Sequence, residues 1–132
     1  MERPRVLLVD DMPEMIEYFR ELLKTDYYDL IGAAPNAAMG LRMAQETKPH
    51  IVLLDISMPG MNGIGRARRL RASGCSAAIV FVSSHDALAT EAMKAGGSAF
   101  ISKNLITSDL RVAIREALTG QSFVSVWPQG KP

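Results

Sequence analysis

The chain has 132 residues, enough for one domain with a real core, and its 48% apolar and 22% charged residues are globular values. A formal net charge of +1 gives no global reason to expect nucleic acid or an anionic membrane as partner, and a lone cysteine, Cys75, excludes a disulfide framework or a cysteine-based metal site. No apolar run approaches the ~20 residues of a membrane span, and the start, Met1 to Arg5, leads only into a strand-length run, not a signal peptide.

Strand and helix patterns alternate along the chain. The run Val6-Leu7-Leu8-Val9 predicts a strand ending on Asp10-Asp11. Asp11 can cap the helix that follows, and Pro13 suits its first turn, with Ile16, Phe19, Leu22 and Leu23 at helical spacing. A weak strand is expected around Leu30-Ile31. Asn36 can cap a second helix with Ala38, Leu41, Met43 and Ala44 as buried candidates, and Pro49 stops it. Ile51-Val52-Leu53-Leu54 then runs into Asp55, and Met58 to Gly63 is loop chemistry. A short third helix carries Ile64, Ala67 and Leu70 inward and ends at Gly74. Its Arg66, Arg68, Arg69 and Arg71 read as a solvated face, with docking of an acidic partner as the lesser reading. Ile79-Val80-Phe81-Val82 ends on Ser83-Ser84. A fourth helix with Leu88, Ala92 and Met93 closes at Gly96-Gly97. Ala99-Phe100-Ile101-Ser102 ends on Lys103, and Ser108 or Asp109 caps a fifth helix with Leu110, Ala113, Ile114, Ala117 and Leu118, ended by Gly120. The segment 121–132 reads as a C-terminal tail or the start of a linker, in which Phe123, Val124, Val126 and Trp127 are able to dock onto the domain.

Apolar runs without alternation indicate strands buried on both faces, and strict strand–helix alternation indicates a parallel α/β sheet with right-handed crossovers. In such sheets ligands bind beyond the carboxyl ends of the strands. Asp10, Asp11, Asp55, Ser83 and Lys103 would meet there. Crowded carboxylates call for a cation, and Mg²⁺ takes oxygen ligands from one or two carboxylates plus phosphate. A carboxylate is also a competent phosphoryl-accepting nucleophile.

With Asp10-Asp11, Asp55, Ser83 and Lys103 in this order, the chain resembles a response-regulator receiver domain of two-component signalling. Residues 53–63 (LLDISMPGMNG) carry the likeness most strongly, supported by VFVSSHDA and GGSAFISK. The resemblance implies a flavodoxin-like (βα)5 doubly wound parallel sheet of strand order 2-1-3-4-5, with residues 1–120 as the receiver domain. It implies that Asp55 accepts the phosphoryl group from a histidine kinase or phosphotransfer protein. Mg²⁺, for which Mn²⁺ can substitute, would be held by Asp10, Asp11, Asp55 and the backbone carbonyl of Ser57. Ser83 and Lys103 would bind the phosphoryl oxygens, and Ser83 and Phe100 would form the switch that alters the surface of the fourth helix, fifth strand and fifth helix. Asn104 stands where the family usually has proline. The resemblance further implies assistance of the domain's own Mg-dependent phosphotransfer, slow autodephosphorylation, and a cytoplasmic location without membrane association. The expected output is a partner or an attached effector domain, DNA-binding ones included though none lies in these residues, with homodimer formation on phosphorylation as a further expectation.

Each residue also has an ordinary structural reading. Asp11 alone is a helix cap, Asp55 a turn residue, Ser83 a loop hydroxyl, Lys103 a surface lysine and Phe100 a core ring. His85 reads as a solvated loop residue, with gating of hydrolytic water as the sharper alternative, and His50 as a strand-flanking residue without chemistry. Among rival functions, a haloacid-dehalogenase-type phosphohydrolase needs a second Asp two residues after the nucleophile, where Ser57 stands. A flavodoxin-like cofactor binder needs a phosphate loop where Asp10-Asp11-Met12-Pro13 would repel phosphate. A degenerate receiver acting as a phosphorylation-independent adaptor is a third alternative.

Overall fold

The computed structural model describes residues 3–24, 27–56 and 63–126. Five strands carry the apolar runs: β1 (Arg5–Val9), β2 (Asp29–Ala34), β3 (Ile51–Asp55), β4 (Ala78–Ser83) and β5 (Ala99–Ser102). Helices α1 (Pro13–Leu22), α2 (Ala37–Thr47), α3 (Gly63–Ala72), α4 (Ala89–Lys94) and α5 (Ile106–Leu118) alternate with them. A sixth strand, β6 (Phe123–Ser125), follows α5. All strand pairings are parallel, in the order β2-β1-β3-β4-β5-β6.

The expected 2-1-3-4-5 order is present and is extended by one strand. β6 comes from the segment read as tail or linker. A three-residue stretch, Phe-Val-Ser, is too short for a period to declare itself. Register against β5 and burial of Phe123 make it a strand.

The sheet divides the core in two. Val6, Leu8, Leu53, Val80, Val82 and Ile101 face α1 and α5, where Phe19, Leu110 and Ile114 cover them. Leu7, Val9, Val52, Leu54, Ile79, Phe81 and Phe100 face α2, α3 and α4. β1 and β3 to β5 are buried on both faces, which explains their unbroken apolar runs. β2 lies at an edge, half-buried over most of its length, hence its weak sequence signal.

Several local expectations are corrected. Met12, not Asp11, is the α1 cap residue, and no side-chain cap bond forms. Pro13 fixes the first turn one residue later than a cap at Asp11 requires. Asn36 does cap α2, accepting the Met39 N–H at 2.9 Å. Ala38 is exposed, and Gly40 takes the inward position. A Cβ on Gly40 would lie 2.9 Å from Val9 Cγ2, so only glycine lets α2 approach β1 this closely. α5 begins at Ile106, so neither Ser108 nor Asp109 is its cap. Ser108 Oγ instead donates to the Leu105 carbonyl, and Asp109 accepts a hydrogen bond from Ser125.

Arg71 departs from the solvated face assigned to its helix. Its guanidinium donates to the carbonyls of Ala77 at 2.5 Å, Cys75 at 3.1 Å and Gly96 at 2.7 and 3.2 Å. It ties the end of α3 to the loops entering β4 and β5. His50 also has a role: its Nδ1 accepts the Arg5 N–H at 2.9 Å, anchoring the start of β1.

Candidate functional site

β1 and β3 are neighbours in register, Val9 opposite Leu54, so Asp10 and Asp55 emerge side by side at the carboxyl edge of the sheet. β4 and β5 continue that edge, with Ser83 opposite Ser102, the residue before Lys103. The topology thus gathers these four residues from four separate strand ends. Asp55 is 1% exposed, and Asp10 and Ser83 are fully buried.

Lys103 Nζ sits 3.0 Å from Asp55 Oδ2, and its side chain remains partly open to solvent. A short 3-10 turn, Lys103–Leu105, follows β5 directly and fixes where the ammonium starts from. This ion pair compensates one buried carboxylate. The second is compensated poorly. Asp10 Oδ1 accepts the Met12 N–H at 2.9 Å, and Asp10 Oδ2 is buried without a hydrogen-bond partner among the described residues. Burial pushes the Asp10 pKa from 3.8 to about 7. The Met12 N–H opposes that shift, the adjacent Asp55 adds to it, and Lys103 weakly opposes it.

Ser83 Oγ accepts the His85 N–H at 2.9 Å, and its own hydroxyl is 3.4 Å from the His85 carbonyl. The serine therefore closes its loop upon itself. His85 is exposed, near Ser84 Oγ at 3.4 Å. Phe100 is fully buried in the α2–α3–α4 half of the core, paired with Phe81 on β4 and Val124 on β6.

Asp11, the next residue after Asp10 beyond the end of β1, is exposed. Among the described residues, no group of three or more His, Cys, Asp or Glu side chains gathers to hold a metal ion. Ser57, expected to offer its carbonyl, lies outside the described residues. The donor chemistry nevertheless fits a hard cation: two adjacent buried carboxylates, one with a partnerless oxygen, are the kind of oxygen set that Mg²⁺ takes.

One contributor was not anticipated. Arg66, from the first turn of α3, is half-buried, and burial lowers its pKa while the charge of Asp11 raises it. It lines a small cavity with Val9 and Leu54, the residues preceding Asp10 and Asp55. A charge run on a helix gives no sign of which arginine faces the sheet edge.

No helix among the described residues is long and apolar enough to cross a membrane. Residues 6–115 match the family described as the response regulator receiver domain. The chain is 32% identical over 127 residues to the nitrate/nitrite response regulator protein NarL of Escherichia coli K12, covering 94% of this chain and 59% of that protein. It is 35% identical over 114 residues to the positive alginate biosynthesis regulatory protein of Pseudomonas aeruginosa, covering 85% and 46%. It thus spans about half to six-tenths of the length of these curated relatives. Among solved structures, a LuxR-family two-component response regulator from Aurantimonas sp. SI85-9A1 superposes with a TM-score of 0.85 at 32% identity, covering 96% of this chain and 91% of that one. The receiver domain of the putative response regulator NarL from Mycobacterium tuberculosis gives 0.82 at 27%, covering 92% and 100%. Sheet order, the acids and lysine at its carboxyl edge, and these matches agree: the chain belongs to the response regulator receiver domain family of two-component signalling.

Proposed function

We propose that Asp55 is the phosphoacceptor of a signalling switch, with residues 1–120 carrying the switch itself. The observation that carries this reading is the buried Asp55 carboxylate held 3.0 Å from Lys103 beside a second buried acid, Asp10. A histidine kinase or phosphotransfer protein is the donor: the N–P bond of its phosphohistidine breaks as an Asp55 Oδ–P bond forms. Phosphoryl transfer needs alignment and charge stabilisation more than covalent assistance. Lys103 supplies a point charge for a transferred oxygen, and Ser83 Oγ supplies a hydroxyl once it leaves the His85 backbone. Receiver domains are generally Mg²⁺-dependent. Asp10 and Asp55, with Asp11 and the Ser57 carbonyl, would hold the ion, whose chemistry is to neutralise the phosphoryl oxygens and the carboxylates.

The change at Asp55 then reaches the surface of α4, β5 and α5, through Ser83 and Phe100, where an output partner or attached domain reads it. The named relatives include regulators of nitrate/nitrite response and of alginate biosynthesis, and a regulatory output in the cytoplasm fits this pattern. Acetyl phosphate with Mg²⁺ tests the reading. One acid-labile phosphoryl group should be added per chain, and Asp55→Asn should abolish it, because an amide is no nucleophile here. Equal labelling of wild type and Asp55→Asn would place the acceptor elsewhere.

A further inference from the structure

After α5 the chain turns at Gly120, whose φ of 83° suits glycine, and returns as β6 alongside β5. Ala99, Phe100 and Ile101 face Phe123, Val124 and Ser125 across the ladder. β6 therefore lies along the side of β5 that β4 does not occupy. A parallel edge strand of three residues gains little from its own ladder. Two side chains add to its hold. Phe123 packs into the α1–α5 half of the core, and Ser125 Oγ donates to the Asp109 carboxylate in the first turn of α5.

Asp109 and Lys103 belong to one continuous helical segment, the 3-10 turn Lys103–Leu105 running straight into Ile106–Leu118. The group that pairs with Asp55 and the group that holds β6 are thus linked by helix, with no loop to absorb a movement. We propose that β6 is a clasp on the β5 edge whose hold depends on the state of Asp55. This rests on the phosphoacceptor reading above. When Lys103 leaves the Asp55 carboxylate to follow a phosphoryl oxygen, its turn shifts, Asp109 draws away from Ser125, and β6 loosens. Val124 and Val126, 49% and 41% exposed, are displaced from the output face with it. Coupling is reciprocal, so freeing β6 in advance must favour the loaded site.

Amide hydrogen exchange of the full chain, with and without beryllofluoride and Mg²⁺, decides the matter. Exchange at 123–125 should quicken several-fold on loading, while Val52 and Leu53 in the sheet centre stay unchanged. Ser125→Ala and Asp109→Ala should bring the resting protein close to the loaded rate and bind beryllofluoride more tightly. Asp109→Asn keeps an acceptor for Ser125 and should behave as wild type. Unchanged or slower exchange at 123–125 in the loaded wild type overturns the clasp, and this arm needs no variant. Bound beryllofluoride is read separately by fluorine NMR. Its failure to bind, or equal binding by Asp55→Asn, removes the phosphoacceptor reading and the clasp together.

Discussion

Asp10 keeps its proton to about pH 7 because it is buried beside another acid, and the consequence for stability has a definite sign. Below the unfolded value of 3.8 both states are protonated and burial of the neutral acid costs nothing extra. As pH rises from about 4 to about 7, the unfolded chain releases this proton while the native one holds it. The contribution of Asp10 to stability should therefore fall across that window, by an amount on the order of a few kcal/mol, and level off above it. Urea melts in chelator at several pH values between about 4 and about 8 should show this fall, and Asp10→Asn should flatten it. Mg²⁺ favours the ionised carboxylates, so its stabilising effect should grow with pH over the same window and saturate by ordinary linkage. Asp11→Asn should weaken the metal-dependent rise; a titration unchanged in that variant would remove Asp11 from the metal site.

At the scale of elements, side chains that hold backbone ends matter as much as the core. Asn36→Ala removes the α2 cap and should cost about 1 kcal/mol. Arg71→Ala strips donors from the Cys75, Ala77 and Gly96 carbonyls at once and should cost roughly 2 kcal/mol or more. Chemical denaturation measures both. Arg68→Ala, on an exposed position of the same helix, should change stability by less than about 0.5 kcal/mol. Equal effects of the two arginine variants would mean that the Arg71 bracket contributes little.

For the molecule as a whole, signalling requires two arrangements close in free energy, separated by roughly a few kcal/mol. In the resting arrangement Ser83 Oγ is engaged by the His85 N–H, and Phe100 is fully buried against Phe81. In the switch proposed above, the Ser83 hydroxyl is the group whose contacts would differ between the two states. Ser83→Ala should therefore still accept a phosphoryl group on Asp55 yet shift the Phe100 environment less. Aromatic-ring NMR with and without beryllofluoride checks this. If Phe100 reports one environment in both states while α4 resonances move, the ring is only core and another route carries the signal.

The sequence by itself determined the alternation of five strands and five helices, the order of the sheet through its likeness to a known family, and the identity of Asp10, Asp55, Ser83 and Lys103 as strand-end residues. These were legible because buried parallel strands write continuous apolar runs, and the residues just beyond them fall at one edge. Tertiary structure decided the rest. Asp10 and Asp11 are adjacent in sequence, yet one is buried with a partnerless oxygen and the other is exposed, a distinction made by the edge of β1 and not by residue type. Arg71 and Arg66 look alike in a charge run and part company only because α3 packs where it does. Ser125 and Asp109 are sixteen residues apart and meet only through the parallel return of β6 beside β5. Local pattern encodes period and burial, whereas pairing between distant strands and the capture of single polar atoms depend on how whole elements close upon one another.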